Sequence, residues 1–176
     1  MDKRFWESLS SLFYRREINA KTILLHEGKV TQNMFYIEKG CLRIWFYKDG
    51  KEITFQFFFE GQFISSFESF RTNQPSLYTI ETIEPCILQE IPKKAFTAIL
   101  EKRPDIKELF QEYVFERLIF YQKLFVSRIT EKPEKRYMDL IDNNPEILKR
   151  IPQHYIASYL GITPVSLSRI RNRLIS

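Results

Sequence analysis

From residue 18 to residue 92 apolar and polar positions alternate in short runs, and after Pro92 that alternation gives way to helical spacing. Gly28, Gly40, Gly50 and Gly61 stand ten to twelve residues apart and punctuate the first region. Between them lie runs rich in aromatic and β-branched residues at 34–37, 41–47 and 53–59. Lys48-Asp49-Gly50-Lys51 carries the Asp-Gly signal of a tight hairpin. Leu42, Ile44 and Phe46 alternate before it, and Ile53, Phe55 and Phe57 after it. A last strand pair is expected at 77–83 and 87–91, broken at Glu84-Pro85. Short antiparallel strands at this spacing predict a barrel or sandwich.

Beyond Pro92 the spacing predicts a short helix over 94–101. Pro104 then suits the first turn of a long helix running to about residue 129. Ile106, Phe110, Tyr113, Phe120 and Leu124 make one apolar stripe of it. Val114, Phe115, Leu118, Ile119, Tyr121, Phe125 and Val126 cover much of the remaining circumference. A helix apolar nearly all round must bury more than one face. One face is expected against the barrel and the other against a second copy; a central helix in a monomer is the alternative. Residues 130–135 form a polar link, followed by a helix over 133–141, a turn at Asn143-Asn144-Pro145 and a short helix over 146–150.

The sharpest pattern lies between Gln153 and Asn172. Ile156, Ala157 and Leu160 form one helical face, and Gly161 can take the left-handed conformation that ends a helix. Thr163 suits an N-cap and Pro164 the first turn of the next helix. Leu167 and Ile170 supply its inward face and share a core with Ile162. The outward face is then Val165, Ser168, Arg169 and Asn172, with Pro164 and Ser166 near its start. This is the pattern of a helix-turn-helix whose second helix enters a major groove. Arginine can hold guanine O6 and N7 there and serine and arginine side chains at the flanks can hold phosphates, so the expected DNA-binding set is Thr163, Pro164, Val165, Ser166, Ser168, Arg169, Arg171, Asn172 and Arg173. The alternative is two helices packed together with no nucleic-acid role.

Charge sharpens this picture. The chain carries a net charge of +5. Residues 147–176 hold Lys149, Arg150, Arg169, Arg171 and Arg173 and no acid, so the whole excess sits at this end. A polyanionic partner is implied. With 44% hydrophobic and 28% charged residues the composition is that of a water-soluble protein. The apolar runs are too short to span a bilayer, and MDKRFWESLS lacks the apolar stretch of a signal peptide. Cys41 and Cys86 make neither a disulfide framework nor a metal cluster, and a reducing cytoplasm is the expected setting.

Taken together, IASYLGITPVSLSRIRNRL at 156–174 and the glycine-punctuated barrel ending in GQFISSFESF at 61–70 resemble the Crp/Fnr family of bacterial regulators. The resemblance covers nearly the whole chain. It implies an α+β fold in three parts: an antiparallel, jelly-roll-type barrel of the cyclic-nucleotide-binding kind over 1–103, a long dimerisation helix over 104–130, and an all-α helix-turn-helix domain over 131–176. It also implies a homodimer that binds double-stranded DNA as a transcriptional regulator and can meet RNA polymerase and a small-molecule effector. The family's nucleotide sensors hold ribose with a Gly-Glu pair and phosphate with an Arg-Ser or Arg-Thr pair. Here Ser65-Ser66 and Ser76-Leu77 fall at those places, and Arg71 is out of register. Without a guanidinium the phosphate loses its charge-assisted partner, so cyclic AMP is not expected to bind. No cysteine precedes Cys41 to hold an iron–sulfur cluster. Of the two histidines, His26 is expected to be structural rather than a haem ligand, and His154 to lie at the surface or on a phosphate.

The recognition helix departs from the family as well. Pro164-Val165 replaces the Arg-Glu pair often found near its start, and only Arg169 is kept of the usual reading set. A different operator is expected, with Val165 meeting a thymine methyl. The sequence ends at Ser176, before the β-hairpin wing usual in the family. Phe55, Phe57, Phe59, Phe63, Phe67 and Phe70 could line an apolar ligand pocket, or simply form core. Two other function classes compete. One is a ligand-binding regulatory module acting through protein partners rather than DNA. The other is a cupin-like enzyme, which needs several converging histidines and is excluded with His26 alone.

Overall fold

The structure, a computed structural model, describes residues 13–175. The N-terminal decapeptide, tested for a leader by its sequence, and Ser176 lie outside the described residues. Eight strands form two four-stranded antiparallel sheets. β1 (Tyr14–Ile18), β8 (Cys86–Pro92), β3 (Asn33–Lys39) and β6 (Phe63–Ile64) make the first sheet in that order. β2 (Ile23–Leu25), β7 (Thr79–Thr82), β4 (Leu42–Lys48) and β5 (Lys51–Phe58) make the second. Ile37, Leu42, Ile44, Phe58, Ile64, Ile80 and Leu88 fill the space between them.

The hairpin at Asp49-Gly50 forms as expected, with Lys48 opposite Lys51 and positive φ at both turn residues. The alternation after it does not persist. The register shifts between Ile44, opposite Gln56, and Trp45, opposite Thr54, so Phe55 is an extra residue. Such a bulge reverses the faces of the residues beyond it. Phe58 therefore enters the barrel and Phe57 points out of it, toward the C-terminal helices.

Other strands escape the pattern for plain reasons. In β1 only Ile18 is buried, so the strand starts at Tyr14, ahead of the alternation. β2 and β6 have three and two residues. The helix α1 (Phe67–Thr72) is under two turns and lies inside a strand-like stretch.

Helix α2 (Lys93–Lys102) leads into α3 (Pro104–Thr130), which is 27 residues long. Its N-terminal half is seated by Ile106 and Tyr113 on Met34, Phe63, Ile91 and Phe96, with the Phe96 and Phe110 rings 4.9 Å apart. The expected inner stripe ends there, because Phe120 is 40% exposed. On another face of the same helix Phe115, Leu118, Phe125 and Ile129 are each 59–68% exposed. α4 (Pro133–Asn143), α5 (Ile147–Arg150), α6 (Gln153–Leu160) and α7 (Pro164–Ile175) complete the chain. Their core joins Tyr137, Ile147, Ile156, Ala157, Leu160, Leu167 and Ile170 to Phe57 and Cys41 on the outer side of the barrel.

Candidate nucleic-acid interface and effector pocket

The turn between α6 and α7 is built as its sequence indicates. Gly161 is left-handed at φ 69°, and its N–H donates to Ser158 O at 3.0 Å. The Ile162 N–H reaches back to Ala157 O at 3.0 Å, completing the paired Schellman bonds. At the start of α7 the Ser166 N–H donates to Thr163 Oγ1 at 3.1 Å, an N-cap bond, and Pro164 occupies the first turn. Leu167 and Ile170 are buried beneath.

This leaves Val165 (61% exposed), Ser168, Arg169 and Asn172 on one outward face, with Pro164 and Arg173 also exposed. Thr163 and Ser166 are occupied with each other at the cap, their hydroxyls 3.0 Å apart. Arg171 is half-buried, close enough to Tyr137 for its charge to be felt there. Arg173 lies 3.7 Å from Glu134. His154 is exposed on α6 and His26 is exposed in the turn after β2. Among the described residues no three His, Cys, Asp or Glu side chains converge to hold a metal. No helix there is long and apolar enough to cross a membrane.

The helix-turn-helix rests on the barrel through α6. Ser158 Oγ donates to Glu52 O at 3.0 Å and accepts from the Thr54 N–H at 2.9 Å. Arg43, 1% exposed, lies with its guanidinium 3.7 Å from the Tyr155 ring centre and pairs with Glu52 and Glu81 at 2.5 and 2.6 Å. Arg150 reaches from α5 to Glu60 at 2.8 Å and Glu84 at 2.5 Å. Three of the basic residues counted toward the C-terminal excess are thus paired: Arg150 here, Lys149 with Glu146, and Arg173 with Glu134.

Partial burial pushes the Glu60 carboxyl up, but the Arg150 hydrogen bonds and those from backbone N–H groups outweigh it. The net pKa falls below its ordinary 4.5. A carboxyl depressed in the folded state stabilises at pH above its unfolded pKa, and that contribution is lost as pH falls through the folded one. Melting temperature is therefore expected to drop as the pH goes below about 4.5, and Arg150→Gln to flatten that part of the profile. An unchanged profile in the variant would show that the clamp contributes nothing.

Three of the four effector positions are buried and the fourth is exposed. Ser65 and Ser66 are 1% exposed, Ser76 is 3% exposed and Leu77 is 66% exposed. Ser65 Oγ donates to Asn33 O and Ser76 Oγ to Tyr78 O. Tyr78, one residue beyond the phosphate-pair position, extends its hydroxyl to Ser65 O at 3.2 Å, across to the ribose-pair position. Burial pushes this phenol up to about 12. Beside it Phe55 stacks on Tyr121 at 5.9 Å, and Arg117 donates to the Tyr121 hydroxyl at 3.2 Å. Tyr113 Oη donates to Phe63 O at 3.0 Å.

Tyr78, Tyr121 and Arg117 were not legible as a group from the sequence, since α3 brings the last two from far along the chain. Arg71 is exposed at the end of α1. The six phenylalanines do not line one pocket. Phe55 joins the barrel core, Phe57 and Phe59 the C-terminal core, and Phe63, Phe67 and Phe70 the core beneath α2 and α3.

Two facing antiparallel sheets, a long helix and a capped helix-turn-helix define a barrel-plus-helical-domain class of protein. Residues 15–103, half of the chain, match the family model described as the cyclic nucleotide-binding domain. Two curated relatives are named cAMP-activated global transcriptional regulator CRP. That of Pasteurella multocida is 28% identical over 88 residues, 49% of this chain and 42% of its own length. That of Salmonella typhimurium is 26% identical over 100 residues, 56% of this chain and 48% of its own. The chain spans about half the length of the curated relatives it matches.

Among solved structures, the c-di-GMP-responsive regulator CLP of Xanthomonas campestris superposes with a TM-score of 0.75 at 16% identity, covering 98% of this chain and 91% of that one. FixK2 of Bradyrhizobium japonicum gives 0.77 at 12% identity, covering 92% and 84%. These likenesses extend the agreement in fold to α3 and the C-terminal helices. The chain belongs to the cyclic nucleotide-binding domain family. Both of these curated relatives are named as transcriptional regulators.

Proposed function

We propose that this chain is a DNA-binding transcriptional regulator of the Crp/Fnr type, working in the cytoplasm as a homodimer and not answering to cyclic AMP. In this reading residues 1–103 are the sensor barrel, 104–130 the dimerisation helix and 131–176 the DNA-binding domain. The observation that carries it is the outward face of α7. Val165, Ser168, Arg169 and Asn172 are exposed on a helix whose opposite face is buried and whose entry turn is closed by caps at both sides. A helix so held can enter a major groove, and two copies would read half-sites about 34 Å apart.

Two further observations support the remaining parts. The exposed apolar positions of α3 fit a seam between two copies. Tyr78 spans the two ends of the nucleotide cassette, and neither pair position holds a guanidinium. RNA polymerase is the further partner this reading implies.

Selection of a binding site from random DNA, with anisotropy titration at low salt on the selected site, tests the proposal. Arg169→Ala is expected to weaken binding to that site by about 1–3 kcal/mol, roughly 5- to 150-fold. Cyclic AMP is expected to leave the titration unchanged. If no sequence is selected and low salt yields no affinity, the DNA reading fails. The competing module reading, action through protein partners, would then stand.

A further inference from the structure

The C-terminal half of α3, α4 and the last turn of α6 enclose a cleft of about 510 Å³, in the range of small-molecule sites. Phe120, Leu124, Leu140 and Tyr159 form its apolar wall, and Arg128 and Arg136 bring two guanidinium groups to it. A smaller cavity of about 170 Å³ shares Phe120, Leu140 and Tyr159 and runs on to Gln56 and Phe57 of the barrel.

The two arginines converge on one point. Arg128 Nη2 donates to Tyr159 O at 3.0 Å and Arg136 Nη2 to Leu160 O at 2.8 Å, so both crowd the C-terminus of α6. A helix end supplies about half a negative charge, which does not balance two guanidinium groups. Neither arginine pairs with a carboxylate among the described residues, and the Nε of each is buried with no partner. Glu131 and Asp139 also line the cleft, but they are engaged, Glu131 by Ser127 Oγ at 2.7 Å and Asp139 by Lys135. Lys123 adds a third cation. Buried donors left without acceptors are costly, and two guanidinium groups with no carboxylate beside them favour an anion in the cleft they line.

We propose that this cleft is a binding site for a small amphipathic carboxylate, its charge held by Arg128 and Arg136 and its apolar body lying along Phe120, Leu124, Leu140 and Tyr159. The site is separate from the barrel cassette. It touches α3, α4 and α6 at once, so an occupant fixes the angle at which the C-terminal helices meet the long helix. Binding itself does not depend on the DNA reading.

Calorimetric titration of the full chain with octanoate and with its neutral counterpart 1-octanol tests this. Octanoate is expected to bind once per chain, and octanol roughly tenfold or more weaker, since a charge-assisted hydrogen bond is at stake. Arg128→Gln is expected to erase that preference. Because this change also removes a cap from α6, Leu124→Trp serves as a second variant that fills the cleft and leaves the arginines alone; it should block octanoate. In the unaltered protein, octanoate should shift the NMR signals of the Arg128 and Arg136 Nε–H groups. The proposal is overturned if octanoate gives no saturable binding, if octanol binds equally well, or if those two signals stay in place.

Discussion

Changing Leu118 to aspartate is expected to turn a dimer into a monomer, read by light scattering at tens of micromolar chain. Phe115, Leu118, Phe125 and Ile129, with Gln122 between them, keep the alternating three- and four-residue spacing of a helix–helix seam. All four apolar members stand more than half exposed in the single chain. Burying one leucine is worth about 1.5–3 kcal/mol, and a two-fold interface loses two of them at once. The pair of carboxylates would also have to be desolvated or protonated. The combined loss is at least about 3 kcal/mol, more than a hundredfold in the dissociation constant. Far-UV circular dichroism of the variant should stay close to that of the parent, because Leu118 contributes little to the packing of its own chain. If the parent chain itself scatters as a monomer, the dimer reading is wrong.

Gly40→Ala is expected to cost about 2–5 kcal/mol in urea unfolding, combining backbone strain with overpacking. Gly40 has φ +106°, and a Cβ there would sit 2.9 Å from Cys86 Cα and closer still to its sulfur. Strand β8 cannot retreat without disturbing its pairing with both β1 and β3. The Gly40 N–H also donates to Glu60 at 2.8 Å, and Glu60 is held in turn by Arg150. A shift at this turn would thus be felt at the contact with α5. Gly28→Ala is the control, since its φ is +80° but nothing lies within 4 Å of the added carbon. It should lose only about 1 kcal/mol, the strain alone. Equal losses in the two variants would mean that Cys86 does not crowd the Gly40 turn.

The elements that could be read in advance are those whose residues act locally. Asp49-Gly50 specifies its turn, Gly161 and Thr163 specify the two caps, and Ile156, Ala157, Leu160, Leu167 and Ile170 show their face by spacing alone. The Crp/Fnr resemblance and the α+β architecture rest on these. What escaped depends on partners distant in sequence. The bulge at Phe55 is invisible because Phe55, Gln56, Phe57 and Phe58 offer an apolar residue to either face in either register. Arg43 and Arg150 look like solvent-facing charges until α6 and α5 are laid on the barrel.

The candidate sites show the same division. The exposed face of α7 and the Thr163 cap were legible, being properties of one helix, whereas the contacts of Ser166 and Arg171 were not. The Thr163 and Ser166 hydroxyls meet at the N-cap, and Arg171 leans toward Tyr137. At the barrel, substitution of both cassette pairs was visible in the residues themselves. Tyr78 bridging between them was not, because its reach depends on how β7 and α1 face each other.

The contact of Ser158 with β5 bears on solubility as well as on domain placement. β5 is the last strand of its sheet, and its outer N–H and C=O groups have no neighbouring strand. Such an edge invites pairing with another chain. The Ser158 hydroxyl bonds to both the Glu52 carbonyl and the Thr54 N–H, standing where the next strand's backbone would be. The C-terminal helices therefore cover this edge of the second sheet. Any motion that lifts α6 far enough to free this edge exposes a template for β-aggregation.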